Sequence, residues 1–465
     1  MSDHSNNNNN WHLSIVERKF LLLWCDFIIV FGAIFLAVIL RSSISMDLFL
    51  QRGYFGIIFL YTSLTVAIFY IIDLYNIFLI DFWTSIVPRI FIGVALTSLL
   101  VIVSSFFLEF LALPRKSIVF MSVVIILGMM LTRYYLMIVK RYPLNIMVLG
   151  SGFAALKMIE DIKKSGSAYF HIIGIYDDDD RKHGKEVMEI PIRGGIESFA
   201  ADIKELRPQM VVVSFEKEIK ETWTDILLQC ARSNVQVSSA VDIYCKLFGK
   251  VPSDHIDALW LLSGIQLIRK PYFIFKRFCD IIFSLIGLFI MLLIFPFVFV
   301  IMKITSPGPI FFSQVRVGLN GSHFRIHKFR TMVVDAEKRT GAVWATKGDN
   351  RITAFGKFMR KVRIDELPQF WNILKGDMSI VGPRPERPEF VDMLKERITF
   401  YDERHLVKPG LTGWAQVLYP YGNTIEDATE KLHYDLFYIR NMSVFMDMKI
   451  ILKTIATVIG GRGGM

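Results

Sequence analysis

Two adjacent carboxylates, Asp365 and Glu366, sit in the run Arg363-Ile364-Asp365-Glu366-Leu367-Pro368-Gln369-Phe370-Trp371-Asn372. Leu367, Phe370, Trp371 and Leu374 recur at i, i+3, i+4 and i+7, the spacing of an amphipathic helix. Pro368 has no N–H to give, so the pattern puts it in the first turn and both acids at the helix N-terminus. Unpaired N–H groups and the helix dipole there favour anions, so Asp365 is expected to stay ionised beside a bound phosphate. A plain N-cap aspartate fits the same pattern. Downstream, Gly382-Pro383-Arg384-Pro385 places an arginine between two prolines that stiffen its turn. A guanidinium held at a fixed angle suits bidentate phosphate recognition, and a structural surface arginine is the plain alternative. Further basic positions come in Lys328-Phe329-Arg330-Thr331-Met332, Arg404-His405 and Lys408-Pro409-Gly410-Leu411-Thr412-Gly413-Trp414-Ala415-Gln416.

A second chemical signal lies upstream. Gly150-Ser151-Gly152-Phe153-Ala154-Ala155 follows an apolar strand-like run, Asn145–Leu149, and fits a dinucleotide-binding fingerprint. Asp177 stands 25 residues beyond Gly152, where a ribose-binding acid belongs. The surrounding domain is short, so a Rossmann-like fold with an empty or regulatory pocket, or a site of dimerisation, reads equally from it. Tyr272-x-x-x-Lys276 adds a Tyr–Lys pair of the kind that NAD-dependent nucleotide-sugar epimerases and dehydratases use. With 16 tyrosines in the chain, about one such match arises by chance. A membrane-anchored enzyme of that class is the alternative reading.

The elements that must position these residues follow from composition. Of 465 residues, 53% are hydrophobic and 21% charged, which excludes disorder. It also excludes a bundle of spans alone, because 53 basic and 43 acidic residues need water. The net charge of +10 favours anionic partners: nucleic acid, anionic lipid or phosphorylated substrates. Cys25, Cys230, Cys245 and Cys279 are too scattered for a disulfide framework or a zinc site.

Residues 1–19 read as a disordered polar tail with an asparagine run, and no cleavage signal follows, so the first apolar run is a retained span. Four runs, about 20–40, 54–72, 90–108 and 118–139, match the ~20 residues needed to cross a bilayer. Asp26 and Arg133 interrupt two of them near their ends, where a functional role and snorkelling compete. Flanking Lys and Arg are nearly balanced across the two sides, so charge bias leaves the orientation open. Residues 143–250 alternate strand, helix and strand, which predicts a parallel sheet. A connector, 251–275, leads to a fifth apolar run broken by Pro296. A kinked helix that returns to its own side and a straight span with a tolerated proline both fit.

The motifs Lys-Phe-Arg-Thr-Met, Asp-Glu-Leu-Pro-Gln, Gly-Pro-Arg-Pro and Lys-Pro-Gly-Leu-Thr-Gly-Trp-Ala-Gln, in this order, resemble the bacterial sugar transferase family. These are the monotopic phosphoglycosyl transferases, and the likeness covers about residues 270–465. Four spans and a Rossmann-like domain in front resemble its long subclass. The resemblance implies an α-helical four-span N-terminal bundle (20–142) and a Rossmann-like α/β middle domain (143–250). It implies a monotopic α/β-containing catalytic domain (276–465) with a re-entrant membrane helix at about 278–303. It implies transfer of a hexose-1-phosphate, glucose or galactose, from a UDP-sugar to undecaprenyl phosphate, initiating polysaccharide synthesis. Asp365 matches the family nucleophile and Glu366 its dyad partner. Arg384 matches a phosphate-binding arginine, and Lys328, Arg330, Arg404 and Lys408 match positions lining the site. A Mg²⁺ ion at Asp365 and Asp435, a homodimer, and a multi-pass inner-membrane location with cytoplasmic termini are further implications. Where the family often has Ser-Pro at the helix break, this chain has Phe295-Pro296. Nucleic acid is not an expected partner, because the arginines stand in stiff loops and not along a groove with stacking aromatics.

Overall fold

A computed structural model describes residues 15–41, 54–75, 86–107, 114–135, 144–164, 170–214, 221–232, 235–252, 260, 270–334, 336, 351–419, 422 and 424–459. The expected polar tail lies outside these residues up to position 14. The chain divides into two compact units, 1–247 and 248–465.

The first unit opens with four apolar helices: α1 (Ile15–Arg41), α2 (Tyr54–Ile71), α3 (Val87–Phe107) and α4 (Arg115–Tyr134). Each is long and apolar enough to cross a membrane. Their outward faces carry Phe20, Leu60, Phe91 and Leu127, all exposed. Small residues bring the helices close: a Cβ at Gly128 would meet Ile29 of α1 at 2.8 Å. The Ser98 and Ser122 hydroxyls meet at 2.9 Å between α3 and α4. Asp26 and Arg133 do not snorkel. The Arg133 guanidinium donates Nη1 to Asp26 Oδ1 at 2.6 Å and Nη2 to Oδ2 at 2.5 Å, and both side chains are fully enclosed.

The same unit continues as α/β. Its strands are β1 (Leu144–Leu149), β2 (Phe170–Tyr176), β3 (Glu186–Val187), β4 (Ile190–Gly194), β5 (Met210–Val213) and β6 (Gln236–Ser239). They form one sheet in the order β3-β4-β2-β1-β5-β6. All pairs are parallel except β3 with β4. Helices α5 (Phe153–Lys164), α6 (Ile196–Leu206), α7 (Glu221–Arg232) and α8 (Ala240–Phe248) alternate with the strands. On one face Met147, Leu149, Tyr176, Phe199, Val211 and Trp223 make a single core.

The second unit begins before α9, because Val251 N–H donates to His433 O at 3.2 Å and Lys250 pairs with Glu430. Apart from Trp260, residues 253–269 of the expected connector lie outside the described residues. Helix α9 spans Lys270–Thr305, 36 residues, and stays helical on both sides of Pro296. A hairpin of β7 (Phe311–Val317) and β8 (His323–Phe329) follows. Then come α10 (Ala354–Lys361), α11 (Gln369–Lys375), β9 (Ser379–Val381), α12 (Pro388–Lys395), β10 (Gly410–Thr412), α13 (Trp414–Leu418), α14 (Ile425–Arg440) and α15 (Val444–Ile459). One seam of α9 packs on this unit along its whole length. Tyr272 and Lys276 bond Asp447 of α15. Arg277 Nη1 and Nη2 cap the last carbonyls of α11, Ile373 and Leu374, at 2.6 and 2.7 Å. Gly287 lies against Phe370, and Met291, Phe295, Val298 and Met302 share a core with Phe329, Met359, Ile364 and Leu367. The other faces, including Phe278, Phe283, Phe289, Leu293 and Phe297, are exposed.

The Asp26–Arg133 pair gives a stability test. Removing one partner leaves a buried charge uncompensated, so Asp26→Leu is expected to cost about 3–5 kcal/mol. The double variant Asp26→Leu/Arg133→Met should recover most of that loss. Thermal unfolding in detergent reads both; equal losses in the single and double variants would contradict the pairing.

Candidate active site

The acidic dyad is built by a forced turn. After α10, Arg363 adopts a left-handed conformation (φ 61°) and turns the chain into one 3₁₀ turn, Ile364–Glu366. Glu366 N–H donates to Arg363 O and Leu367 N–H to Ile364 O. Pro368 takes the N-cap of α11, so the acids stand one turn ahead of that helix. The α11 face turned to the core is Gln369, Asn372 and Ile373, while Trp371 of the expected apolar stripe is 55% exposed.

Both carboxylates are buried, but their surroundings differ. Glu366 Oε1 faces Arg363 Nη1 at 3.2 Å, Arg384 Nη2 at 3.3 Å and Lys328 Nζ at 3.5 Å. Burial alone would push this acid up, but Lys328, Arg384 and Arg363 prevail and hold it at about 2. Burial pushes Lys328 down to about 8 against the pull of Glu366. Asp365 is shifted upward, first by burial and then by the neighbouring Glu366 charge, against Lys328, Arg360 and Arg363. Its Oδ1 is buried and accepts no hydrogen bond. Burial first, and then the like charge next door, raise the proton affinity of Asp365 against the stabilisation expected from a helix N-terminus, and the acid that the cations hold ionised is Glu366.

The other basic positions separate into two sets. Lys328 and Arg384 are brought to the dyad. Arg404 is buried and committed elsewhere: Nη1 donates to Tyr401 Oη at 2.6 Å, and Nη2 to Arg384 O at 3.0 Å and Asp435 Oδ2 at 2.8 Å. Asp435 is enclosed and pushed up to about 6 by burial against the pull of Arg404. It therefore serves Arg404. Arg330 clamps the loop after α9, giving Nε to Pro309 O at 2.7 Å and Nη2 to Ser306 O at 2.5 Å. Lys408 is half-buried, and its charged neighbours are Arg277, Asp280 and Asp377 and not the dyad. Among the described residues no cluster of three or more His, Cys, Asp or Glu is arranged to hold a metal.

Sequence reasoning missed Arg363 and Asn372. Arg363 stands three residues before Glu366, a spacing that could have revealed it. Asn372 fixes Lys328 relative to the dyad: Nδ2 donates to Arg325 O at 2.7 Å, and Oδ1 accepts from His327 N–H at 3.1 Å, both on β8. A polar residue on the inward face of a short helix is its only signal.

In the first unit, Asp177 is bonded to the glycine loop itself. Asp177 Oδ2 accepts from Ser151 N–H at 2.9 Å, Ser151 Oγ at 2.5 Å and Lys182 Nζ at 3.0 Å. Burial opposes ionisation there, but these donors and Asp179 N–H hold Asp177 at about 2. Gly150 takes a positive φ of 83°, and Gly152 N–H donates to Ser214 O at 3.2 Å.

A buried carboxylate dyad faced by three cations thus stands on a unit that carries an exposed apolar helix along one side. The chain belongs to the bacterial sugar transferase family, which residues 271–461 match; residues 70–240 match a family described as CoA-binding domain. It is 40% identical to a UDP-N-acetylgalactosamine-undecaprenyl-phosphate N-acetylgalactosaminephosphotransferase of Aeromonas hydrophila, over 56% of this chain and 62% of that protein. It is 33% identical to a UDP-glucose:undecaprenyl-phosphate glucose-1-phosphate transferase of Klebsiella pneumoniae, over 66% of each. It is 36% identical to the sugar transferase EpsL of Bacillus subtilis (strain 168), over 41% of this chain and 90% of that one. The match thus spans under two thirds of the first two relatives. The epimerase alternative falls, since these relatives are sugar-phosphate transferases by name and Tyr272 and Lys276 both bond Asp447.

Arg404→Lys keeps the charge but cannot reach Tyr401, Arg384 O and Asp435 together. Unfolding stability is expected to fall by about 1.5–3 kcal/mol. A change under about 0.5 kcal/mol, the size of an ordinary surface substitution, would show that these bonds do not hold the Arg384 loop.

Proposed function

We propose that the protein transfers a hexose-1-phosphate from a UDP-sugar to undecaprenyl phosphate, releasing UMP, as the first step of exopolysaccharide, capsule or O-antigen assembly. The observation that carries this reading is the buried Asp365 Oδ1, free of donors, beside a Glu366 held ionised by three cations. The family and the relatives' names supply the substrate class.

In the first half-reaction an Asp365 oxygen attacks the phosphorus that carries the sugar. A bond from phosphorus to Asp365 forms, the bond to the bridging oxygen breaks, and UMP departs with that oxygen. In the second, an oxygen of the lipid phosphate attacks the same phosphorus and frees Asp365. This double displacement gives ping-pong kinetics. Burial without donors makes Asp365 the more reactive acid, while Lys328, Arg363 and Arg384 lower the repulsion between carboxylate and diphosphate. Glu366 keeps those cations in place. Mg²⁺ fits here, because such ions bind one or two carboxylates together with substrate phosphates. Asp365, whose Oδ1 accepts no hydrogen bond, would hold it, Glu366 being committed to three cations and Asp435 to Arg404. The ion would neutralise charge on the diphosphate.

Placement at the bilayer follows from α9. A helix of 36 residues is about 54 Å long, against about 30 Å of hydrocarbon. Tyr272 and Lys276 at one end, and Val298 and Met302 at the other, contact the same unit. A crossing helix would carry one end away from it, so these contacts support a re-entrant seat. UDP-sugars are cytosolic, which sets the catalytic unit and both termini on the cytoplasmic side of the inner membrane.

Membranes carrying the protein are tested with radiolabelled UDP-glucose, UDP-galactose and UDP-N-acetylgalactosamine plus undecaprenyl phosphate. One of them should label the lipid, and Asp365→Asn should abolish both transfer and the phosphosugar–enzyme adduct. Full activity in Asp365→Asn would sink the assignment. The pH profile gives a separate check, because Asp365 must be deprotonated to attack and activity falls on the acid side. Glu366→Gln removes the like charge and should move that limb to lower pH; Lys328→Met removes a cation and should move it higher.

A further inference from the structure

Arg384 can aim at a phosphate only if the strand in front of it is held still. That strand, β9, has three residues and pairs with β10 alone in a two-stranded sheet. Ser379 N–H donates to Pro409 O at 2.9 Å on the β10 side, and just past the strand Gly382 N–H donates to Thr412 O at 2.9 Å. Backbone donors alternate in direction along a strand, so the N–H of Ile380 points the opposite way, toward α9. There Asp280 takes the place of a third strand. Its Oδ1 accepts from Ile380 N–H at 2.8 Å and from Ser379 Oγ at 3.0 Å, and the residue is only 4% exposed. Lys276 and Arg277, up to one turn earlier on the same helix, provide its compensating charge. Past β9 the chain is fixed again, by Gly410 N–H on Pro383 O at 2.8 Å and by Arg404 on Arg384 O.

We propose that Asp280 is a positioning residue for the transfer reaction: carried on the membrane helix, it sets the register of β9 and thereby the aim of Arg384. The proposal rests on the transferase reading above. It makes α9 part of the scaffold of the phosphate site as well as its anchor. The role belongs to an acceptor oxygen and not to a charge, since both bonds end on one atom. Asparagine can supply that oxygen; leucine fills similar space without it.

The test uses the full-length protein in nanodiscs. Asp280→Leu should lower kcat/KM for the UDP-sugar about tenfold or more, as expected for a lost buried acceptor. Asp280→Asn should stay within about threefold of the parent. Because Asp280 acts through Arg384, the double variant Asp280→Leu/Arg384→Ala should be no worse than Arg384→Ala by more than about twofold. Additive losses, or an asparagine variant as poor as the leucine one, overturn the proposal. Hydrogen exchange of residues 379–385 decides it without reference to activity. Protection there should drop in Asp280→Leu and persist in Asp280→Asn. Unchanged protection in both, or loss spread over the whole unit, overturns the proposal even if Asp365→Asn has already refuted the transferase reading.

Discussion

Helix α9 faces two solvents at once, and much of the second unit follows from how it does so. Its outer faces carry Phe, Leu and Ile left exposed, a surface suited to lipid. One narrow seam must instead match a polar domain. At the N-terminal end that seam is polar, with Lys276, Arg277 and Asp280 each bonded to a different element. Beyond Gly287 it becomes apolar and joins the core around Phe329 and Met359. Asp280 is thus an acid in an apolar helix whose cost of burial is offset by two donors and two nearby cations. The same seam ties together α11, β8 and β9, of which α11 follows the dyad, β8 carries Lys328 and β9 leads to Arg384.

The charge cluster then works by giving two neighbouring acids different environments. Glu366 holds the cations and is held by them, so it is anionic through the physiological range. Asp365, one residue earlier, is buried, which raises its proton affinity, and its Oδ1 accepts no hydrogen bond. A carboxylate paired tightly to arginine would be a poor nucleophile, and one with no cations nearby would not tolerate a diphosphate. The adjacent pair divides these requirements. The left-handed Arg363 brings its own guanidinium back onto Glu366, so the strained turn and the charge balance are one feature.

Much of the architecture was legible in the residues. The four long apolar helices, the parallel sheet and the turn that carries the dyad followed from apolar length, strand–helix alternation and Pro368 at the start of α11. The roles of the basic residues were not. Lys328, Arg330, Arg384, Arg404 and Lys408 all stand in motif-like runs, and nothing in their spacing says that Arg330 clamps a loop or that Arg404 is enclosed by Tyr401 and Asp435. Those assignments depend on which backbone carbonyl lies opposite, a tertiary fact. Asp26 and Arg133 show the same limit. Each alone looks like a residue near a span end; their pairing across 107 positions appears only when α1 and α4 meet. The α11 stripe misled for a related reason. Leu367 and Phe370 of the apolar period do pack inward, but Trp371 is exposed and Asn372 takes an inward place to reach β8.

The departure at the helix break can be read the same way. Pro296 cannot bond the carbonyl of Leu292, so the helix is weakened there whatever precedes it. A serine at 295 would answer that loss with a local hydrogen bond. Phe295 answers with packing: its ring stacks on Phe311 at 5.8 Å and on Phe329 at 6.3 Å, joining α9 to the first residue of β7 and the last of β8. Phe311 and Phe329 are themselves cross-strand partners, and Lys328 immediately precedes Phe329. Stabilisation of the break is therefore moved from the backbone of α9 to an aromatic stack shared with the strand that carries an active-site cation. In this chain the weak point of α9, the end of β8 and the turn ahead of α11 are packed as one core.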